Sequence, residues 1–157
     1  MTDKATALQE LHHGHDAFRG PLERLSDGDF DEVWLGTWNL SQLLAHMAGW
    51  YREMTPAFGR VAAGERPTPA GVDYSDPDAW NAKFAQLAKP GRAALADYDA
   101  AWEAYLAAAS SLADDFWGTD PEKGRPKIGN RLIHASGIEH FEEHQPELDA
   151  WLKTRTS

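Results

Sequence analysis

Apolar positions recur at steps of three and four along four stretches of the chain. The first stripe is Leu8, Leu11, His15, Phe18, Leu22 and Leu25, which lines one face of a helix. Pro21 follows Gly20 inside it, so a kink or break is expected there, with the helix ending near Ser26–Asp29. The second stripe is Leu40, Leu43, Met47, Trp50, Met54 and Phe58, running to about Ala63. Asn39 with Gln42 three residues on predicts a reciprocal N-terminal cap, and Pro56 predicts a bend. After the Pro/Gly/Asp-rich connection 64–78, Asp76-Pro77 predicts the start of a short helix carrying Trp80, Phe84 and Leu87, which Pro90-Gly91 ends.

A third long stripe is Leu95, Tyr98, Trp102, Tyr105, Ala109 and Leu112, on an Ala-rich segment able to approach a neighbour closely. Residues 114–127 read as a polar loop. The last helix is expected from Lys127–Gly129, with Ile133, then Ser136 or Gly137, then His140, His144, Leu148 and Trp151 inward, and Pro146 disturbing its final turns. No segment has the alternation of a strand followed by a hairpin turn. The pattern therefore predicts an all-α protein: an antiparallel four-helix bundle, residues 1–157 as one domain, with a long irregular connection and a short extra helix between helices two and three.

Composition narrows the chemistry. The 157 residues include no cysteine, which rules out disulfides, thiolate ligands and a cysteine nucleophile and suits a cytoplasmic location. No apolar run of about 18 residues is present to span a membrane, and the N-terminal segment lacks the apolar core of an export signal. A net charge of −10 with scattered basic residues argues against a nucleic-acid partner and suits solubility. There is no phosphate-binding glycine loop and no GxSxG.

The chemistry-bearing stretch is IEHFEEH, residues 138–144. His140 and His144, four apart, project from one helix face about 40° apart. Two adjacent inward imidazoles need hydrogen-bond partners for their ring nitrogens or a metal to take two of them. Spacing alone leaves both readings open. The pattern is not that of zinc peptidases, which place Glu directly after the first His, where Phe141 stands. His46, beside Leu43, Met47 and Trp50, and His15, within the first stripe, are either core histidines or further ligands, with His12 three residues before His15. His13 is expected in solvent, and His134 too far around the helix to join. Glu139 and Glu143 are candidates to orient imidazole N–H groups, with Glu143 also a catalytic candidate, although both suit a solvated acidic face. Tyr51 is a candidate proton donor, although core packing or the surface suits it better. Trp38, Trp50, Trp80, Trp102 and Trp151 are candidates to wall an apolar pocket.

TWNLSQLLAHMAGW resembles the second-helix signature of the DinB-like superfamily, and IEHFEEHQPELDAWL its fourth-helix HxxxH signature. DAWNAKF at 78–84, with the closing EH…EH…W, is most similar to the ClbS/DfsB branch. The resemblance covers nearly the whole chain. It implies a four-helix bundle in which His46, His140 and His144 hold one divalent metal, nickel or zinc, with positions left open for water or substrate. It further implies a small-molecule enzyme: a ClbS-like hydrolase protecting against a reactive electrophile, or an enzyme using a low-molecular-weight thiol such as mycothiol or bacillithiol, as the maleylpyruvate isomerases do. In the second case Arg52, Arg60 and Arg131 are candidates to hold the thiol's carboxylates. A non-catalytic bundle that binds a ligand or a metal is the remaining reading. A homodimer is expected from family habit and the Ala-rich third helix.

Overall fold

The computed structural model of the chain describes residues 3–155. Its frame is an antiparallel bundle of α1 (Lys4–Arg19), α3 (Leu40–Ala62), α5 (Ala93–Ser111) and a last helix made of α6 (Ile128–Ile133) and α7 (Glu139–Lys153). Short helices α2 (Asp27–Asp31) and α4 (Pro77–Ala85) lie between the long ones. α1 is capped by the Asp3 side chain and stops at Gly20; a 3-10 turn over Gly20–Arg24 then carries Pro21 in its first positions, so the expected break is real. α3 begins with the cap read from the sequence: Asn39 Oδ1 accepts from Gln42 N, and Gln42 Oε1 accepts from Asn39 N, each at 2.9 Å. Pro56 lies within α3, and Pro146 within α7, which nonetheless runs on to Lys153.

The absence of strands expected from the sequence is corrected at two places. Val33–Leu35 (β1) pairs antiparallel with Trp38–Asn39 (β2), and Thr119–Asp120 (β3) pairs with Arg125–Pro126 (β4). Both ladders are too short to show a period-two pattern, and VWL is a continuous apolar run. The first hairpin matters for the site, because it delivers Trp38 and the capping residue Asn39 straight into α3.

The core lies where the predicted stripes converge. Leu11, Phe18, Leu43, Met47, Tyr98, Tyr105 and Leu148 are fully enclosed, and the alanines Ala94, Ala101 and Ala109 of α5 are buried, which allows the close approach to α3 expected of an Ala-rich helix. Leu87, expected on the inward face of the short helix, lies just beyond α4 and is 69% exposed. Polar ties fasten the ends. Arg19 grips Asp99 through two nitrogens at 2.8 and 3.0 Å, joining α1 to α5. Arg155 pairs with Asp29 and Glu32, closing the end of α7 onto α2 and the residue before β1.

The last helix is interrupted where its sequence stripe was ambiguous. His134–Ile138 form a π turn, in which the Glu139 N–H reaches back to the His134 carbonyl. The extra residue in this wider turn lets Ser136, Gly137 and Ile138 all be buried in succession. Gly137 suits that turn, because a Cβ would crowd Leu11 Cδ1 at 2.6 Å and the Tyr105 hydroxyl at 3.1 Å. Past the turn, Phe141 takes the deep position, in ring contact with His15, Phe18 and Trp102, and His140 is rotated toward α3.

α4 is held on α3 by a second close approach. A Cβ on Gly49 would lie 2.2–2.6 Å from the Phe84 ring. We therefore expect Gly49→Ala to cost about 1–3 kcal/mol, the range for overpacking a filled site. Adding Phe84→Ala should remove the collision, so the double variant should be less destabilised than the two single losses summed, as read from urea unfolding of all four proteins. Simple additivity would show that α4 does not rest on this contact.

Candidate functional site

α3 and the last helix bring three histidines together. The His46 ring centre lies 5.0 Å from that of His140 and 5.2 Å from that of His144, both edge to face, and the His140 and His144 rings are 6.0 Å apart. Rings bound through one nitrogen each to a common ion at about 2.1 Å have centres about 5 Å apart at near-tetrahedral angles, so two of the three separations suit that arrangement and the third is wider. Among the described residues, no group of three His, Cys, Asp or Glu side chains already has its donors gathered for a metal. The rings are neighbours without a finished focus.

The ring nitrogens are nevertheless sorted. His46 Nδ1 lies 2.9 Å from the Leu43 carbonyl, His140 Nδ1 lies 2.9 Å from the Ser136 carbonyl, and His144 Nδ1 lies 2.7 Å from Glu147 Oε1. Carbonyls and carboxylates only accept, so each Nδ1 carries the hydrogen and donates. In the neutral ring that leaves the Nε2 lone pair as the available one, which is the form a divalent metal binds. Burial, with His140 and His144 adding repulsion, pushes His46 down to about 3; burial likewise lowers His140. Both are held neutral, and the donor set fits a metal that accepts imidazole.

Glu147 is the partner missed in the sequence. It stands three residues after His144, the spacing at which helical side chains meet, and that spacing is the signal that would have found it. Glu139 and Glu143, the expected orienting groups, hold no Nδ1. Both are exposed at the wall of a pocket, and Glu143 Oε2 also lies 3.9 Å from His144 Nε2. The Ser136 side chain is fixed by Tyr105 and the Leu132 carbonyl, each at 2.6 Å, so the carbonyl that orients His140 sits in a pinned segment of the π turn.

The pocket, about 520 Å³, opens between α3, the last helix and the strap formed by the 64–76 connection and α4. His140, Glu139 and Glu143 meet Trp50, Tyr74, Asp78 and Asn81 across it. The other candidates fall elsewhere. Of the two readings of Tyr51, the core one describes its position: it is fully buried, its hydroxyl is 3.3 Å from that of Tyr98, and burial raises it well above the ordinary tyrosine value. Arg52 pairs with Asp97, while Arg60 and Arg131 donate to the Pro67 and Pro126 carbonyls; none of the three lines the pocket. Trp50 lines it, Trp38 leans on His46 with ring centres 5.2 Å apart, and Trp80 packs behind Tyr74. Trp102 and Trp151 are core, stacked on His15 and Trp34.

His15 does not join the three histidines. Its ring stacks on Trp102 at 4.0 Å, its Nδ1 lies 3.1 Å from Asp16, and its buried Nε2 has no hydrogen-bond partner. His12 is exposed at Trp102 and Asp16, His13 is exposed as expected, and His134 is exposed as well.

Residues 11–135 match the family described as mycothiol maleylpyruvate isomerase N-terminal domain. The chain belongs to this family. The matched span includes His46 but ends before His140 and His144. No curated protein matches the chain significantly in sequence. Solved structures share the DinB-like fold. The one described as Sibling Lethal Factor Precursor, DfsB, aligns over 100% of this chain and 99% of its own, with TM-score 0.76 and 18% identity. The colibactin self-resistance protein ClbS, solved in complex with double-stranded DNA, aligns over 96% and 95%, with TM-score 0.78 and 14% identity. A mycothiol-dependent maleylpyruvate isomerase aligns over 92% of this chain and 62% of its own, with TM-score 0.66 and 19% identity. The expectation against a nucleic-acid partner thus meets a structural neighbour crystallised with DNA. No helix among the described residues is long and apolar enough to cross a membrane.

His15 yields a test of the fold's acid limb. Its folded-state value is lowered from 6.5, chiefly by burial against the pull of Asp16 and Asp99. The unfolded chain therefore binds this proton more readily, and stability falls as pH drops below about 6.5. His15→Phe removes both this titration and the orphaned Nε2. The variant should be at least as stable as wild type at pH 7.5 and lose less stability between pH 6.5 and 5, measured by urea unfolding. An equal acid loss in the variant would assign the limb to other groups.

Proposed function

We propose that the chain is a metal-dependent small-molecule enzyme in which His46, His140 and His144 hold one divalent ion, nickel or zinc, and that it acts as a hydrolase removing a reactive electrophile. The observation that carries this is the sorting of the three rings: each Nδ1 is committed to its own acceptor, and each Nε2 lone pair is left for a ligand. Three protein ligands leave coordination positions open, and a bound ion there supplies Lewis acidity and a water of lowered pKa. The chain's own residues do the rest. Leu43 and Ser136 carbonyls and the Glu147 carboxylate fix the ring tautomers and orientations. Trp38 packs against His46, with ring centres 5.2 Å apart, and limits how far that ring can turn. Glu143, at the pocket wall and near His144 Nε2, is the group placed to take a proton from an entering nucleophile.

A thiol-dependent transferase is the second reading, favoured by the family match and by the absence of cysteine from the chain. A thiol that bears carboxylates would meet Asp78, Glu139 and Glu143 in this pocket and no arginine among the described residues, so the lining disfavours that class of thiol alone.

Plasma-mass metal analysis of untagged protein dialysed against nickel or zinc tests the metal. Wild type should retain about one equivalent, and His46→Ala and His140→Ala should retain little. Glu147→Gln should lower affinity about 10–100-fold, as loss of a ligand's outer partner does. Wild type that retains no metal overturns the reading. Metal-loaded protein incubated with strained or electrophilic esters then separates the chemistries: turnover without thiol supports the hydrolase, turnover only with thiol supports the transferase, and none above buffer leaves a binding protein.

A further inference from the structure

The pocket beside His140 has a chemical bias that the three histidines do not explain. Its volume of about 520 Å³ is in the range that holds a small organic molecule. Its acidic lining is Asp78, Glu139 and Glu143, and among the described residues no lysine or arginine lines it.

The aromatic wall has spent its hydrogen-bond donors. The Trp50 indole N–H donates to Asn81 Oδ1 at 2.6 Å, and the Tyr74 hydroxyl donates to Glu53 at 2.8 Å. The Trp50 and Tyr74 rings meet edge to face, centres 5.5 Å apart. The wall therefore offers a ligand π faces, not N–H or O–H groups, and Pro77 beside them has no N–H to give. With the Trp50 N–H spent on Asn81, the lining side chains that bring a further N–H are the Asn81 amide and His140, and His140 Nδ1 is already committed to Ser136. Electron-rich faces backed by carboxylates complement a cation and repel an anion.

We propose that this pocket receives its substrate through a cationic nitrogen, an ammonium or methylated ammonium group, seated against Trp50 and Tyr74 with Asp78, Glu139 and Glu143 around it. The inference deepens the reading above and rests on the pocket's being the substrate entrance to the three-histidine site. The cationic group is the handle, and the part of the molecule that reacts extends toward His140. Asp78 and Tyr74 come from the strap and Glu139 and Glu143 from the last helix, so the handle is gripped from both sides.

The test uses three molecules of nearly one shape on full-length, metal-free protein: choline, its neutral carbon counterpart 3,3-dimethylbutan-1-ol, and the anion 3,3-dimethylbutanoate. Binding is read from indole N–H signals in nitrogen-15 correlation spectra, with the Trp50 signal assigned by Trp50→Phe. Choline should shift the Trp50 signal with a Kd roughly tenfold below that of the alcohol, and the butanoate should not bind. Asp78→Asn, Glu139→Gln and Glu143→Gln combined, all exposed positions, should bring choline close to the alcohol while leaving the spectrum otherwise folded. Equal binding of alcohol or anion, no choline-induced shift, or a preference unchanged in the triple variant overturns the proposal. Two readouts keep the two readings apart. Metal retention by wild type fails only if the metal site fails, whereas the choline preference, measured on metal-free protein, falls only if the pocket assignment is wrong.

Discussion

A neutral imidazole has one nitrogen that donates and one that accepts, and inside a protein the partner of the first decides what the second can do. This constraint governs the chain. Leu43 and Ser136 supply backbone carbonyls and Glu147 a carboxylate, three chemically separate acceptors on two helices that reach the same result on three rings. Without them the rings could turn over, and a burial that drives His46 down to about 3 would leave neutral nitrogens with no defined direction. The rest of the bundle can be understood as what keeps those acceptors in place.

The π turn is central to that support. By taking an extra residue between Ile133 and Glu139, it lets Phe141 fill the space among His15, Phe18 and Trp102 while His140 swings to meet His46. Gly137 gives Leu11 and the Tyr105 hydroxyl room, and the Tyr105 bond to Ser136 Oγ secures the segment whose carbonyl receives His140. Such turns are often found at functional positions, and here one has a definite mechanical task.

The long helices were legible because each buries one face, and burial writes a period into the sequence: every member of the Leu95–Leu112 stripe is buried, and the Asn39/Gln42 cap formed as read. His46, His140 and His144 as neighbours followed from the same periodicity joined to a family resemblance. Other features left no such trace. β1 and β2 are three and two residues long, too few to show alternation. The π turn showed only as an inability to choose between Ser136 and Gly137. Tyr51 looked available because its helix position borders His46, but whether a side chain faces a cavity or a neighbour depends on what α5 brings opposite, here Tyr98 and Tyr105. Tyr74, Asp78 and Asn81, which face Glu139 and Glu143 across the pocket, lie far from them in the chain, so no local spacing announces that meeting.

The strap over the pocket consists of a connection and a nine-residue helix, clipped on by Tyr74 to Glu53, Trp50 to Asn81, and Phe84 against Gly49. None of these clips involves the three histidines or their acceptors. Cover and histidine cluster are thus built from different lengths of polypeptide with separate fastenings. Residues 64–90 can be rewritten, reshaping the pocket, while the three rings and their acceptors beneath stay as they are, and a fold partitioned in this way can vary what it encloses without disturbing its histidines.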